Sequence, residues 1–551
     1  MNRLTVVFLS LLAGWAGALT AHAQTGAAIP IFSFAASGTN GAYPEANLTL
    51  GSDGNFYGTT ESGGASTNGT IFMVTTNGIL TTLVNFNGTN GANPLAALTL
   101  GPDGNFYGTT EYGGNTIGKT NLNGRLGGGT VFQVTTNGTL TTLVNFNGTN
   151  GASPHAGLTW GLDGNLYGTT ATGGTNGLPY GTLFRVTTVG ALTTLTNFNN
   201  SNGANPIAGL TLGTDGNFYG VAKSGGAHSA GTVFKVTPNG ILTTLYNFGT
   251  TATDGASSET TLTLGPDGNL YGATDYTSLT DHNGTIYKVT TNGTLTTLIN
   301  FDFYNGGNPM GSLIFCPNGI FYGTTYAGDN GNNSNLGIVY SLTTNGVFTV
   351  LAEFNGSNGA SPMSGLTLGP DNNLYGATVG GAHGNGTVYK LGLSPSFISN
   401  PASQSVVIGN PATFSCQMFG TAPFAFQWRS NSVPVAGATG GSLNLPRVFY
   451  QANNAQFQVV VTNSYGSATS QVATLSVVLQ PNCSAVLNNG GGNYTVVVGS
   501  FPSSLNHLWA TTNLSSSWQQ IAPITTDANG MGQYLDTAPA DPAKFYRLSY
   551  P

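Results

Sequence analysis

The chain has 551 residues, of which only 6% are charged, and its net charge is −7. An average soluble protein has about 25% charged residues, and nucleic-acid-binding proteins need a basic surface. The composition therefore argues against a nucleic-acid partner. The 83 glycines and 10% aromatic residues favour short strands joined by tight turns over long solvated helices.

The first 23 residues have the pattern of a signal peptide. Arg3 is followed by an apolar run and by the small-residue cleavage pattern Ala21-His22-Ala23. We therefore expect export to the cell surface or the extracellular space. No later apolar run is long enough to predict a transmembrane helix. The three cysteines are an odd number in separate regions, so we expect packing rather than disulfides to stabilise the chain, although a Cys416–Cys483 pair stays open.

A short motif recurs along most of the chain. It is Asp-Gly-Asn-Phe-Tyr-Gly at 53–58, and its seven copies have their tyrosines at 57, 107, 167, 219, 271, 322 and 375. The copies lie about 50 residues apart, a period typical of repeat architectures. The copies at 317–323 and 371–376 depart from the motif.

Each repeat has four strand-like runs. In the second copy they are 95–100, 105–110, 129–135 and 139–146, separated by Asp-Gly or Asn-Gly turns. Such turns favour hairpins, and four antiparallel strands per repeat are typical of a propeller blade. We therefore predict an all-β chain with a seven-bladed β-propeller over residues 24–392.

The two ends of the repeat region predict that the propeller is closed. The last repeat stops at Leu391 without a fourth strand, and a run that resembles a fourth strand, 29–34, precedes the first repeat. We expect this N-terminal strand to complete the seventh blade and so remove an exposed sheet edge.

The repeats resemble the GloVer tandem repeats of exported bacterial proteins. The similarity rests on Gly-Thr-Val-Phe-Gln-Val (129–134), Leu-Thr-Thr-Leu-Val-Asn-Phe (140–146) and the Asp-Gly-Asn-Phe-Tyr-Gly motif. It covers about two thirds of the chain, implies propeller-type repeats and implies no established enzymatic activity.

The C-terminal third has a different pattern. Residues 393–478 resemble an immunoglobulin-like domain, with Cys416 on strand B and Trp428 on strand C. Val459 stands where the second cysteine of that family would be, so we expect no disulfide between the sheets and a buried, apolar role for Cys416. Residues 479–551 predict a further small β module.

The candidate site lies on the rim of the propeller that carries the variable loops. The tight turns should form the opposite, uniform rim. Nine acids lie in or next to the variable loops: Glu45, Glu61, Glu111, Asp254, Glu259, Asp275, Asp281, Asp302 and Asp329. The residue after the second strand is the first to differ between copies, so we predict ligand-binding roles for Glu61, Glu111, Lys223, Asp275 and Tyr326.

The sequence contains no recognisable catalytic arrangement. His228 and His383 occupy equivalent loop positions, but solvated loop residues explain them as well as a metal site does. We therefore predict a monomeric, surface-associated binding or adhesion protein without a cofactor, whose partner is an extracellular glycan or protein. The alternatives are an enzyme that uses loop carboxylates on extracellular polysaccharide and, more distantly, a copper-radical oxidase, whose Tyr and His ligand motif is not found.

Overall fold

The computed structural model describes residues 25–115, 127–174, 179–251, 253–278, 283–302, 304–328, 335–490, 493–512, 514–515, 517–537 and 544–549. The expected signal peptide and two of the nine loop acids named above, Asp281 and Asp329, lie outside these ranges. The described residues form strands and turns, with one 3₁₀ turn at Tyr450–Ala452 and no α-helix. The prediction of an all-β chain is therefore confirmed.

Seven four-stranded antiparallel sheets occupy the described part of residues 26–393, and we number them in chain order. Sheet 1 consists of Thr49–Leu50, Phe56–Thr60, Thr70–Val74 and Leu80–Asn85. Sheet 2 consists of Thr99–Leu100, Phe106–Thr110, Thr130–Val134 and Leu140–Asn145. Sheet 3 consists of Thr159–Trp160, Leu166–Thr170, Thr182–Val186 and Leu192–Asn197. Sheets 4 and 5 consist of Thr211–Leu212, Phe218–Ala222, Thr232–Val236 and Leu242–Asn247; and Thr263–Leu264, Leu270–Thr274, Thr285–Val289 and Leu295–Asn300. Sheets 6 and 7 consist of Ile314–Phe315, Phe321–Thr325, Ile338–Leu342 and Phe348–Glu353; and Thr367–Leu368, Leu374–Thr378, Thr387–Leu393 and Gly26–Ser33.

Sheet 7 joins the two ends of the repeat region. Its fourth strand is the N-terminal Gly26–Ser33, which pairs antiparallel with Thr387–Leu393. The prediction that an N-terminal strand completes the last repeat is confirmed. The pairing satisfies backbone groups that would otherwise form an open sheet edge.

Hydrogen bonds between the short first strands connect neighbouring sheets. The hydroxyl of Thr49 in sheet 1 donates to the carbonyl of Leu98 in sheet 2 at 2.6 Å, and Thr99, Thr159, Thr211 and Thr263 make the same bond to the following sheet. Thr367 of sheet 7 donates to Leu48 of sheet 1 at 2.5 Å, which returns the series to its start. Ile314 takes the threonine position in sheet 6.

Aromatic side chains fill the spaces between the sheets. Tyr57 of sheet 1 contacts Phe106 of sheet 2 with ring centroids 4.2 Å apart, and Tyr375 of sheet 7 contacts Phe56 of sheet 1 at 4.3 Å. These rings are buried, and burial of each large side chain contributes about 1.5–3 kcal/mol. The tyrosines of the recurring motif therefore act in packing.

The C-terminal third contains separate sheets. One sheet consists, in spatial order, of Gln404–Val407, Ala473–Val478, Ala455–Asn463, Ala425–Ser430 and Val433–Pro434, and Gly466–Thr469 also pairs with Ala455–Asn463. Two smaller sheets pair Ala412–Ser415 with Ser442–Leu445 and Ser396–Ser399 with Gln417–Phe419. The last residues form two three-stranded sheets, Asn482–Gly490, Asn493–Gly499 and Met531–Asp536, and Gln519–Thr525, Leu505–Thr511 and Phe545–Ser549.

Trp428 is fully buried and lies opposite Val459, the residue that stands in for the missing cysteine. Cys416, Cys316 and Cys483 are all free, and Cys416 is only half-buried. The expectation that Cys416 is a buried core residue is met only in part, because Cys416 is half-buried and packs against the edge of the core. Phe414, two residues earlier, is fully buried in that core and stacks on Phe457 at 4.6 Å.

The two irregular copies of the motif contact the C-terminal third. The Asn318 amide donates to the Ser396 hydroxyl at 3.0 Å, and the Thr421 hydroxyl donates to the Asn373 side-chain oxygen at 2.5 Å. Phe419 packs against Tyr322. The rim of tight turns is therefore not uniform, because the turns of sheets 6 and 7 serve as an interface.

Among the helices of the described residues, none is long and apolar enough to cross a membrane.

Candidate functional site

The recurring motif itself forms a structural turn. In the first copy the Asp53 carboxylate accepts hydrogen bonds from the Asn55 backbone N–H at 3.1 Å and side-chain amide at 2.8 Å, and from the Tyr57 hydroxyl at 2.9 Å. Burial opposes the ionised form of Asp53, but these hydrogen bonds outweigh it and lower the pKa of the carboxyl. The same bonds recur at Asp103, Asp163, Asp215, Asp267 and Asp371. These aspartates are engaged by their own turns.

A cavity of about 370 Å³ lies where the seven sheets meet, and residues of all seven line it. The residues that lead into the first strands alternate between buried and half-buried side chains. The half-buried ones face the cavity. The outermost set, which we call the mouth ring, consists of Glu45, Leu95, His155, Ile207, Glu259, Met310 and Met363.

The mouth ring contains five residue types at its seven positions, with Glu and Met each occurring twice. Sequence reasoning that starts from each Tyr-Gly pair misses it as a site, because it lies before the first strand rather than after the second. The sequence does carry a signal for this ring. Several residue types occur among the copies at the position four residues before the Thr or Ile that begins each first strand.

The predicted site residues occupy one position repeated around the structure, which we call the outer ring: Glu61, Glu111, Ala171, Lys223, Asp275, Tyr326 and Val379. The backbone N–H of each donates to the residue two positions before the mouth ring, as Glu111 does to Asn93 at 3.0 Å. The outer ring does not line the cavity directly. Its charged members act on the mouth ring instead.

Two ion pairs join the outer ring of one sheet to the mouth ring of the next. Glu111 lies 2.9 Å from the Nε2 atom of His155, and the Lys223 ammonium lies 2.6 Å from a Glu259 oxygen. Burial lowers the pKa of Lys223, but Glu259 and Asp275 produce a net rise. Burial raises the pKa of Glu259, and Lys223 offsets part of that rise.

Glu45 has a different environment. The pKa of Glu45 is raised to about 8, chiefly by burial and in addition by the charge of Glu61, a hydrogen bond with Glu61 and the charge of Glu111. Two neighbouring carboxylates repel each other when both are ionised, which favours the protonated form of Glu45. Glu45 is therefore a neutral hydrogen-bond donor or acceptor at pH 7.

The remaining predicted residues have separate surroundings. Asp275 accepts a hydrogen bond from the Asn308 amide at 2.9 Å. Tyr326 is 37% exposed and lies at the rim of sheet 6. The structure thus brings Glu61 and Glu111 together around Glu45, and Lys223 and Asp275 together near Glu259, and leaves Tyr326 apart.

Tyr43 is a further residue of this rim. It has a left-handed backbone conformation with φ of 59° and is 41% exposed. The other six copies have Asn or Ser at this position, which adopt such a conformation more readily. A bulky side chain in that conformation is typical of functional surfaces.

In the described part of the chain no group of three or more His, Cys, Asp or Glu side chains is arranged to hold a metal ion. His228 and His383 lie on exposed loop positions.

A family model described as the Gloeobacter/Verrucomicrobia repeat matches residues 16–118 and 113–336, together more than half of the chain. Among solved structures, a twitchin kinase fragment of C. elegans is 24% identical over 15% of this chain, with a TM-score of 0.14, and the match covers 20% of that fragment. The titin M10–obscurin-like 1 Ig complex is 22% identical over 16% of this chain and 97% of that chain, and tandem Ig repeats of Dlar are 13% identical over 28% and 66%, both with TM-scores of 0.15. TM-scores this low establish no shared fold.

Proposed function

The chain belongs to the Gloeobacter/Verrucomicrobia repeat family, and from this premise we propose that its repeats form a seven-bladed β-propeller whose loop rim binds an extracellular glycan or protein. The resemblance to GloVer repeats noted above is confirmed by the family match. The observation that carries the proposal is the cavity lined by all seven sheets, with a mouth ring that varies around it. Ligand sites are commonly concave and combine apolar walls with a few polar groups.

The two rims have different roles in this proposal. The turns of sheets 6 and 7 hold the C-terminal third through Asn318 and Asn373. The loop rim carries the mouth ring and the outer ring. We further propose that residues 393–478 form an immunoglobulin-like sandwich, and that this sandwich and the last module act as spacers or adhesion units of an exported protein.

A variant that narrows the mouth tests the proposal. Met363→Trp places a large ring in the half-buried mouth ring, and Val189→Trp places the same ring on the opposite rim, where Val189 is 86% exposed. Glycan arrays and pull-downs of extracellular proteins with the wild type should capture a ligand. Capture should weaken at least tenfold in Met363→Trp and persist in Val189→Trp. Equal capture by both variants, or no capture by the wild type, contradicts the proposal.

An enzyme acting on polysaccharide is the second candidate, and the Glu45–Glu61 pair is the observation in its favour. The raised pKa of Glu45 suits a general acid, and a neighbouring carboxyl could then act as the base. Glycosidases, however, separate their two carboxyls by roughly 5 to 10 Å, whereas Glu45 and Glu61 are hydrogen-bonded to each other. Release of sugar fragments by the wild type, abolished in both Glu45→Gln and Glu61→Gln, would support this candidate over binding alone.

A further inference from the structure

The cavity continues below the mouth ring into a space with small side chains. In sheets 1 to 6 the residue two positions after the mouth-ring residue also lines the cavity, and these residues are Asn47, Ala97, Gly157, Gly209, Thr261 and Ser312. We call this part the chamber. These side chains are smaller than those of the mouth ring, so they leave space between chain segments that approach one another closely.

One wall of the chamber carries hydrogen-bond donors. The Asn47 side chain accepts a hydrogen bond from the Gly365 backbone N–H at 2.6 Å. The Thr261 hydroxyl accepts one from the Gly209 N–H at 3.0 Å, and the Ser312 hydroxyl accepts one from the Thr261 N–H at 3.1 Å. Each bond uses the side-chain oxygen as acceptor, and an amide or hydroxyl keeps its own hydrogens to donate. The side-chain donors of these residues have no partner among the described residues. Sheets 1, 5 and 6 therefore present three free donors to the cavity.

The opposite wall is small and lacks polar side chains. Ala97, Gly157 and Gly209 come from sheets 2, 3 and 4. A Cβ atom added to Gly157 would lie 3.0 Å from the Ala97 carbonyl oxygen, so the neighbouring segments approach closely here. A flat ligand ring can rest against this wall while its polar edge faces the donors.

The charges around the entrance exclude some ligand classes. Four acids, Glu61, Glu111, Glu259 and Asp275, surround the entrance against the single cation Lys223, and this excess of acids opposes the entry of anions. Inside, no carboxylate of the described residues lines the chamber below the mouth ring, so no opposite charge there offsets the cost of removing a cation from water. The chamber is therefore suited to an uncharged ligand rich in oxygen acceptors.

We propose that the chamber binds the end of a neutral saccharide chain, with ring and hydroxyl oxygens on Asn47, Thr261 and Ser312 and an apolar sugar face against Ala97 and Gly157. This inference rests on the proposed function and names the ligand class of the same cavity. The cavity volume of about 370 Å³ is near the lower limit of small-ligand pockets. It holds the end of a chain and excludes a folded protein.

Isothermal titration of the full-length mature protein tests the ligand class. The probes are neutral oligosaccharides from β-glucan, α-glucan, xylan and mannan, together with oligogalacturonate as an acidic probe and chitosan oligosaccharides as cationic ones. We expect one neutral class to bind and both charged classes to bind at least tenfold more weakly.

Two variants locate the binding. Ala97→Phe fills the chamber and should abolish neutral binding, whereas Val189→Phe adds the same ring on the opposite rim and should leave Kd unchanged. Since Ala97→Phe could disturb folding, a second variant is Ser312→Ala, which removes one donor and the acceptor of the Thr261 N–H with little change in volume. It should weaken binding about three- to tenfold. Thermal melting of each variant checks that the fold is kept.

The outcomes separate this inference from the proposed function. Binding of a charged probe or a protein that Met363→Trp abolishes overturns the neutral saccharide and leaves the binding function standing. Binding of a neutral sugar that Ala97→Phe and Ser312→Ala leave unchanged overturns the chamber as its site. No binding of any probe or protein overturns both.

Discussion

The third residue of the third strand in each sheet shows how a single hydroxyl changes local energetics. It is Phe72, Phe132, Phe184 and Phe234 in sheets 1 to 4 and Tyr287, Tyr340 and Tyr389 in sheets 5 to 7. Tyr287 meets the Ser258 hydroxyl at 2.9 Å, where other copies have proline. The buried hydroxyls of Tyr340 and Tyr389 have no hydrogen-bond partner among the described residues.

Replacing these tyrosines by phenylalanine should therefore have opposite effects. Tyr340→Phe and Tyr389→Phe remove an unsatisfied buried group and should raise the free energy of unfolding by about 1 kcal/mol. Tyr287→Phe leaves Ser258 with one bond fewer and should lower it by about 1 kcal/mol. Denaturant titration measures all three. Destabilisation by Tyr340→Phe equal to that by Tyr287→Phe would show that the hydroxyl of Tyr340 is satisfied.

Glu45 should make stability depend on pH. Its pKa is raised from 4.5 to about 8 by burial and by Glu61 and Glu111, and His155 is the neighbouring partner of Glu111. Between these two pH values the native state holds a proton that the unfolded state releases, so the free energy of unfolding falls as pH rises. We expect a loss of about 1 kcal/mol or more between about pH 5 and pH 8.

The matched variant is Glu45→Gln, which keeps the shape and removes the titration. Its stability should change less than that of the wild type over the same range, measured by thermal melting in buffers of equal ionic strength. Parallel curves for the two proteins would contradict the assignment to Glu45.

At the scale of strands and turns, the repeat makes the fold readable. The Asp-Gly turn and the Tyr packed behind it recur with the same bonds, so the strand order and the pairing of Gly26–Ser33 with the last repeat could be predicted. First strands are shorter than predicted. Residues 95–100 read as one strand, but only Thr99–Leu100 joins the ladder, because the preceding residues line the cavity.

The site was harder to predict than the fold. Glu61, Glu111, Lys223 and Asp275 lie on the expected rim, but their charges act through Glu45, His155 and Glu259. A register counted from the second strand cannot show which residue of the next sheet is in contact. That contact depends on how one sheet packs against another, which the spacing of a repeat does not encode.

At the scale of the whole molecule, departures from the repeat mark the interface between the repeats and the C-terminal third. Sheets 6 and 7 carry the irregular turns, in which Asn318 replaces the motif Asp and Asn372 replaces the motif Gly. Asn318 bonds to Ser396, and Asn373, which follows the second replacement, bonds to Thr421. The Asn463 amide also donates to the Leu393 carbonyl at 2.8 Å. Phe419 is fully buried and lies 5.9 Å from the Tyr322 ring, so it makes an apolar contact across this interface.

Phe419→Ala should therefore uncouple the two parts. Truncating a buried phenylalanine costs about 3–5 kcal/mol, and here the loss falls on the interface. In calorimetry the unfolding transitions of the repeats and of the C-terminal third should lie further apart than in the wild type. Proteases should cut faster near Leu393, because the interface no longer protects the backbone there. Phe449→Ala, at a residue 42% exposed, is the matched control and should leave both measurements unchanged. If Phe419→Ala lowers a single transition without faster cleavage near Leu393, Phe419 stabilises its own sheet rather than the interface.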